Sequence, residues 1–239
     1  MFVVVRGGGS GDFVAAVITS LFGGYDRLPE PQIQNTDADW VCFTDQAFKA
    51  PEPWRVVVLN ERHPAMLYDH PRMRTVWCKT QPWELVDDPT VIWVDANSWI
   101  ISPRFVAEAG AYATLTNGFA TYAHPDRDCI YEEAKASMQI HPKKYHDQPI
   151  AEQVDYYRSV GHPEHWGLYA VGTCVYNTTS TRVRDLCDWW LDECEEYSYQ
   201  TQLSLPYVDR EMGFGVDTFR HHQIVGNPWM ILRDHLGAS

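Results

Sequence analysis

The stretch Val91-Ile92-Trp93-Val94-Asp95-Ala96-Asn97 decides how this chain reads. Four consecutive apolar residues stand between Asp87-Asp88-Pro89 and Asp95, which is the length and composition of a strand buried on both faces. Such strands belong to a mainly parallel sheet with helices packed on either side, and the flanking sequence agrees. Residues 14–20, 40–43 and 54–59 read as further strands, and residues 71–85 as a helix with Pro82 near its end. In the second half, Ser102-Pro103 forms an N-cap and N1 pair that opens a helix to about residue 109. Residues 128–138 and 149–160 read as helices, the latter stopped by Gly161. Residues 119–123 and 168–176 read as strands. Residues 181–197 give the clearest helix, with Val183, Leu186, Cys187, Trp190, Leu191 and Cys194 at helical spacing. Beyond Tyr207 the signals weaken into a loop-rich tail. The fold class expected is α/β, in one domain spanning residues 1–239.

Composition narrows the function classes. The 239 residues carry 19 basic and 32 acidic side chains, a net charge of −13. A surface this acidic does not grip duplex nucleic acid as a whole and is repelled by anionic membranes. No apolar run approaches the roughly 18 residues of a membrane span. Aromatic residues make up 13%, including 10 Trp and 13 Tyr, which serves either a Trp-rich core or the stacking of sugars and bases. Six cysteines, at 42, 78, 129, 174, 187 and 194, lack C-x-x-C spacing and sit in apolar patterns, as buried free thiols do. The opening residues do not have the pattern of a signal peptide, so a reducing, cytoplasmic setting is expected, with the sequon at Asn177 unused.

In open α/β sheets, ligands bind beyond the carboxyl ends of the strands. That rule singles out Gly23, Gly24, Tyr25 and Asp26 after the first strand, Thr44 and Asp45 after the second, and Asp95 and Asn97 after residues 91–94. The D-x-N pattern is either a divalent-metal and diphosphate site or an Asx turn. Arg72, Arg74 and Lys79 on the preceding helix are either phosphate contacts or a solvated face. The glycine-rich residues 6–11 lack the G-K-[ST] ending of a phosphate loop. Neither H-E-x-x-H nor G-x-S-x-G occurs, so zinc-peptidase and serine-hydrolase chemistry have no support. His124-Pro125-Asp126-Arg127 follows a strand, and His221, His222 and His235 come late.

These stretches come together in a resemblance. Leu21-Phe22-Gly23-Gly24-Tyr25-Asp26, Cys42-Phe43-Thr44-Asp45, the Arg-x-x-x-x-Lys-x-x-Pro segment at 74–82 and Trp93-Val94-Asp95-Ala96-Asn97 are its first half. His124-Pro125-x-Arg127-x-Cys129-x-Tyr131-x-Glu133-Ala134 and Gln202-Leu203-Ser204-Leu205-Pro206-Tyr207-Val208 complete it, in order, over about residues 15–210. The chain resembles a glycosyltransferase-like family first catalogued as a domain of unknown function, with bacterial members and plant members linked to pectin and mucilage synthesis.

The resemblance implies a GT-A type α/β/α sandwich. Residues of about 12–100 would form a nucleotide-sugar half and those of about 101–239 an acceptor half. It implies sugar transfer from a nucleotide-diphosphate donor. Phe22, Gly23, Gly24, Tyr25 and Asp45 would hold the nucleotide, and Arg74 and Lys79 would offset the diphosphate charge. Asp95 would occupy the metal-binding position, joined by Asn97 and a late histidine, His221 or His222, on Mn²⁺ or Mg²⁺. His124 and Arg127 would line the cleft, and Gln202 would orient the sugar. The acceptor would be a glycan, a protein or a modified nucleic acid; with neither a signal nor a membrane-anchor pattern in the sequence, a microbial or viral enzyme is expected rather than a plant-like Golgi one. Two departures stand out: Thr201 replaces an Asp able to act as base, and Asn97 replaces a second carboxylate. Two alternatives remain, a degenerate sugar-binding protein and a pyrophosphorylase-like enzyme. Gly23-Gly24-Tyr25-Asp26 lacks the basic residue that the second would carry there.

Overall fold

In the computed structural model, residues 15–24 and 26–234 are described. The glycine-rich residues 6–11, the start of the first expected strand, Tyr25 and His235 lie outside them. The first half supplies β1 (Ala15–Leu21), β2 (Asp39–Thr44), β3 (Arg55–Val58), α1 (Pro71–Thr80), β4 (Thr90–Val94) and β5 (Ser98–Ile100). The second half supplies α2 (Phe105–Gly110), α3 (Tyr112–Leu115), β6 (Phe119–Ala123), α4 (Ile130–Ile140), α5 (Pro142–Tyr145) and α6 (Ile150–Ser159). It closes with β7 (Tyr169–Asn177), α7 (Thr181–Glu196), α8 (Thr201–Met212), β8 (Asp217–Thr218) and β9 (Met230–Leu232).

Seven strands form one sheet in the order β3-β2-β1-β4-β7-β6-β8. β3, β2, β1 and β4 are parallel neighbours, β7 runs antiparallel between β4 and β6, and β8 is parallel to β6. The sheet is therefore mainly parallel, as expected, with one reversed strand. β1 and β4 are buried throughout. Alternation sends Ala16, Ile18, Val91 and Trp93 to one apolar layer, under α1 and α7, and Ala15, Val17, Ile92 and Val94 to the other, under α2. All six cysteines are buried and free. No helix among the described residues is long and apolar enough to cross a membrane.

Three local expectations are corrected. The helix at 71–85 ends at Thr80, and residues 82–84 form a separate 3₁₀ turn, because Pro82 has no N–H to continue the ladder. Ser102-Pro103 forms a turn ahead of its helix rather than the cap: Ser102 Oγ accepts from the Arg104 amide at 3.2 Å, and α2 begins at Phe105. The tail is more ordered than its sequence suggests. α8 runs to Met212 through Pro206, held by the burial of Leu203, Leu205, Tyr207 and Val208, and β9 then pairs antiparallel with β5.

At the amino end of β4, Asp88 is 3% exposed and both carboxylate oxygens are buried without a hydrogen-bond partner among the described residues. Burial, aided by nearby Asp39, pushes its carboxyl from 3.8 up to about 6. The folded state therefore holds this proton more tightly than the unfolded chain does. The stability that follows is full below 3.8 and lost as pH rises through about 6. Asp88→Asn is expected to raise Tm by a few degrees near pH 8 and to leave it unchanged near pH 4, as read by thermal denaturation at both pH values.

Candidate active site

The carboxyl end of β4 meets the early residues of β7, because β7 runs the other way: the Asp95 amide donates to the Gly172 carbonyl at 2.7 Å. The Trp93 ring is buried, yet its indole N–H reaches Asp95 Oδ1 at 2.8 Å. Lys79 Nζ stands 3.1 Å from the same oxygen, donates to the Val171 carbonyl at 3.0 Å, and lies 5.2 Å from the Trp93 ring centroid. One ammonium thus joins α1, the loop after β4, and β7. A buried lysine keeps its charge at low cost only with such partners.

Around this clasp opens a cleft of about 460 Å³. Arg72, Thr75, Val76 and Lys79 line it from α1, at the i, i+3, i+4, i+7 spacing of one helical face. His141 and Lys144 line it from the α4–α5 end, Tyr199, Gln200, Thr201 and Gln202 from the start of α8, and Gln223 from the tail. Lys144 is depressed to about 8, first by burial, then by the charges of Arg72 and Lys79, against the opposing pull of Asp95 and Glu133. The lining residues carry three cations, Arg72, Lys79 and Lys144, and one carboxylate, Asp95, on a chain of net charge −13. Tyr199 buttresses that wall: it stacks on His70 at 4.7 Å, lies 5.9 Å from the Arg72 guanidinium, and donates its hydroxyl to the Lys144 carbonyl.

A second polar network stands behind the Gln200 side. Glu133 is 4% exposed. Its Oε2 accepts from Arg127 Nε at 2.7 Å and lies 3.6 Å from His124 Nε2. Its Oε1 accepts from Ser137 Oγ at 3.1 Å and Gln200 Nε2 at 3.0 Å. Gln200 Nε2 also reaches Gln202 Oε1 at 3.3 Å, and Gln202 Nε2 donates to the Tyr169 carbonyl at 3.1 Å. Burial lowers His124, against the raising effect of Glu133, and its Nδ1 accepts from the Asp126 and Arg127 amides.

The expected site residues thus fall into groups. Asp95, Asn97, Lys79 and Gln202 line the cleft. His124 and Arg127 are not in its lining and connect to it through Glu133 and Gln200. Phe22 is fully buried in the core. Gly23 and Gly24 turn the chain after β1 at φ of +74° and +65°, where side chains are strained. The Gly23 amide donates to both Asp45 oxygens at 3.2 Å, and Asp45 pairs with Arg74 at 3.2 Å. Arg74 and Asp45 therefore lock this turn. Two further hollows, of about 540 and 410 Å³, lie nearby: the first shares Ala96 and Asn97 with the cleft, and the second shares Asp26, Arg27 and Leu28 with the first and reaches Gly24, Thr44 and Phe48. Sequence reasoning missed Lys144, Gln200, Gln223 and Glu133's role. The Arg72–Lys79 spacing was the available signal for the α1 face.

A divalent cation at Asp95 would have to share the carboxylate with Lys79. Oδ1 already accepts from an ammonium and an indole. The Asn97 amide donates to the Arg233 carbonyl at 2.9 Å. His221 packs edge-on against Trp229, its ring centroid 4.1 Å away, and His222 Nδ1 accepts from the amides of Ile224 and Val225. Of the expected metal set, only Asp95 and Asn97 line the cleft. A dication on Oδ1 would meet repulsion from Lys79 on the order of several kcal/mol. Among the described residues, three possible ligand groups come together elsewhere, at exposed Asp128, Glu132 and His165, with ligand atoms within 4.8 Å of one another.

A polar cleft at the carboxyl ends of a mainly parallel sheet is where open α/β folds bind their ligands. The chain belongs to the TOD1/MUCI70 glycosyltransferase-like domain family, whose family model matches residues 11–224. Among solved structures, it is similar to the apo structure of the bifunctional glycosyltransferase WbbM, at 12% identity and a TM-score of 0.49, over 88% of this chain and 39% of that one. It is similar also to the galactosyltransferase LgtC in complex with donor and acceptor sugar analogues, at 10% identity and a TM-score of 0.44, over 85% of this chain and 72% of that one. The chain thus spans about two fifths of the WbbM structure. No curated protein matches it.

Glu133 offers a direct test of the buried network. Glu133→Ala leaves the Arg127 guanidinium without its carboxylate, which costs about 3 kcal/mol. The expected outcome is a fall in Tm of roughly 6–12 °C by calorimetry.

Proposed function

We propose that this domain transfers a sugar from a nucleotide-diphosphate donor to an acceptor hydroxyl. The observation that carries the reading is the cation-lined cleft at the carboxyl ends of β1 and β4, on a strongly acidic chain. Such a cleft concentrates an anionic ligand against the field of the whole molecule. The nucleoside lies in the neighbouring hollows toward Gly24 and Phe48, in the first half of the chain, and the diphosphate lies against Lys79. The sugar then faces Gln202, whose amide is oriented by Gln200 and the Tyr169 carbonyl. The acceptor enters from the side built by the second half, and a glycan, a protein or a modified nucleic acid all fit that chemistry. Six buried free thiols agree with a reducing compartment.

The bond from the anomeric carbon to the diphosphate oxygen breaks, and a bond to the acceptor oxygen forms. The transition state is oxocarbenium-like. Asp95 is the sole carboxylate of the described lining and is held by two donors, while Thr201 offers only a hydroxyl. A retaining route suits this lining: the acceptor proton passes to the departing phosphate oxygen on the same face of the sugar. Thr201 also favours a second reading, a sugar-binding domain without transfer activity.

Nucleotide release from UDP-, GDP-, ADP- and dTDP-sugars, with Mn²⁺ or with EDTA, separates the two. Release from one donor is expected, with a loss of at least about a hundredfold in Lys79→Ala, the size seen when one transition-state charge contact is removed. No release and no thermal stabilisation by any donor would leave the binding reading in its place.

A further inference from the structure

We infer that the protein's own cations, Arg72, Lys79 and Lys144, take the diphosphate in place of a divalent metal ion, with Lys144 as the closing contact. The inference rests on the transferase reading and deepens it.

Charge is the first argument. Three cations against one carboxylate leave the lining a surplus of two positive charges. A sugar nucleotide carries one negative charge on each of its two phosphates, so the surplus and the ligand balance. A dication added to that set would leave the cleft positively overcharged. The second argument is occupancy. One oxygen of the carboxylate on which an ion would rest, Oδ1, is engaged by Lys79 at 3.1 Å and Trp93 at 2.8 Å, so an ion on that carboxylate would sit beside a held ammonium. Asp95 serves instead as the counter-ion that holds Lys79 over β7.

Position sets the roles apart. Lys79 is 7% exposed at its side chain and pinned by two oxygens. Lys144 lines the cleft from α5, half-buried, with its ammonium 4.7 Å from the ring centroid of its neighbour Tyr145. Arg72 is exposed at the mouth. Burial first, and then the charges of Arg72 and Lys79, depress Lys144, while Asp95 and Glu133 raise it. An anion between these groups relieves the repulsion among all three cations at once. When the sugar bond breaks, the new charge on the departing phosphate falls beside the pinned Lys79 ammonium, which needs no reorganisation.

The test is calorimetric binding of UDP, GDP and inorganic pyrophosphate, each in EDTA and in Mn²⁺. Expected is at least one ligand bound in EDTA, with affinity within twofold of that in Mn²⁺. Lys144→Gln is expected to weaken it about tenfold, Lys144→Arg to restore most of the loss, and Lys143→Gln, on the exposed side of the same short helix, to change nothing. Thermal denaturation of each variant verifies the fold. Binding that appears only with Mn²⁺ overturns the inference and leaves the transferase reading standing. Absence of binding by all three probes in both conditions overturns the transferase reading itself.

Discussion

The clasp of Lys79 on Asp95 and the Val171 carbonyl is the contact on which the cleft depends. A lysine ammonium buried this deeply demands acceptors, and here they come from two strands of opposite direction. Satisfying them fixes α1 against β4 and β7. Once α1 is fixed, Arg72 and Thr75 face the same space as Lys79. Once β7 is fixed, Gly172 stands beside the carboxylate, at a point where a Cβ would lie 3.3 Å from both Asp95 Oδ2 and Gln223 Nε2. The bare backbone there lets the tail fold down onto the site.

The Glu133 network performs a similar service for the other wall. Its carboxylate gathers donors from the His124 loop, from its own helix and from the residue that precedes α8. A buried polar network of this kind rigidifies when all its members are paired. Its output toward the cleft is the placement of two glutamine amides. His124 and Arg127 thereby act at one remove from the ligand space, as anchors of the wall.

The central strands were legible because burial on both faces leaves an unbroken apolar run, as in residues 91–94. α7 was legible because its apolar residues repeat at helical spacing. α8 was not, since Pro206 reads as a breaker and only tertiary burial keeps the helix intact around it. In the site, Asp95 and Lys79 were legible, one at a strand end and the other on the preceding helix. Arg72, seven residues before Lys79, shares its helical face, whereas Arg74 turns to Asp45. Lys144 had no local signal: it sits on a four-residue helix, and its meaning arises from groups far away in sequence. The late histidines have no spacing signal of their own, and their contacts are with Trp229 and with nearby backbone amides.

The reversed strand has a consequence for the order in which this protein can be made. β4 ends at Val94, and the strand that receives it begins at Tyr169. During synthesis, the parallel block of β1 to β4 leaves the ribosome with one long edge of β4 open and Lys79 lacking half its acceptors. Pairing across so large a sequence separation is slow, because a long loop must close before any contact rewards it. The ligand space is thus among the last parts of the molecule to exist. A nascent or truncated chain that stops short of β7 exposes an apolar strand edge beside an unsatisfied cation, a species suited to chaperone capture and not to sugar chemistry.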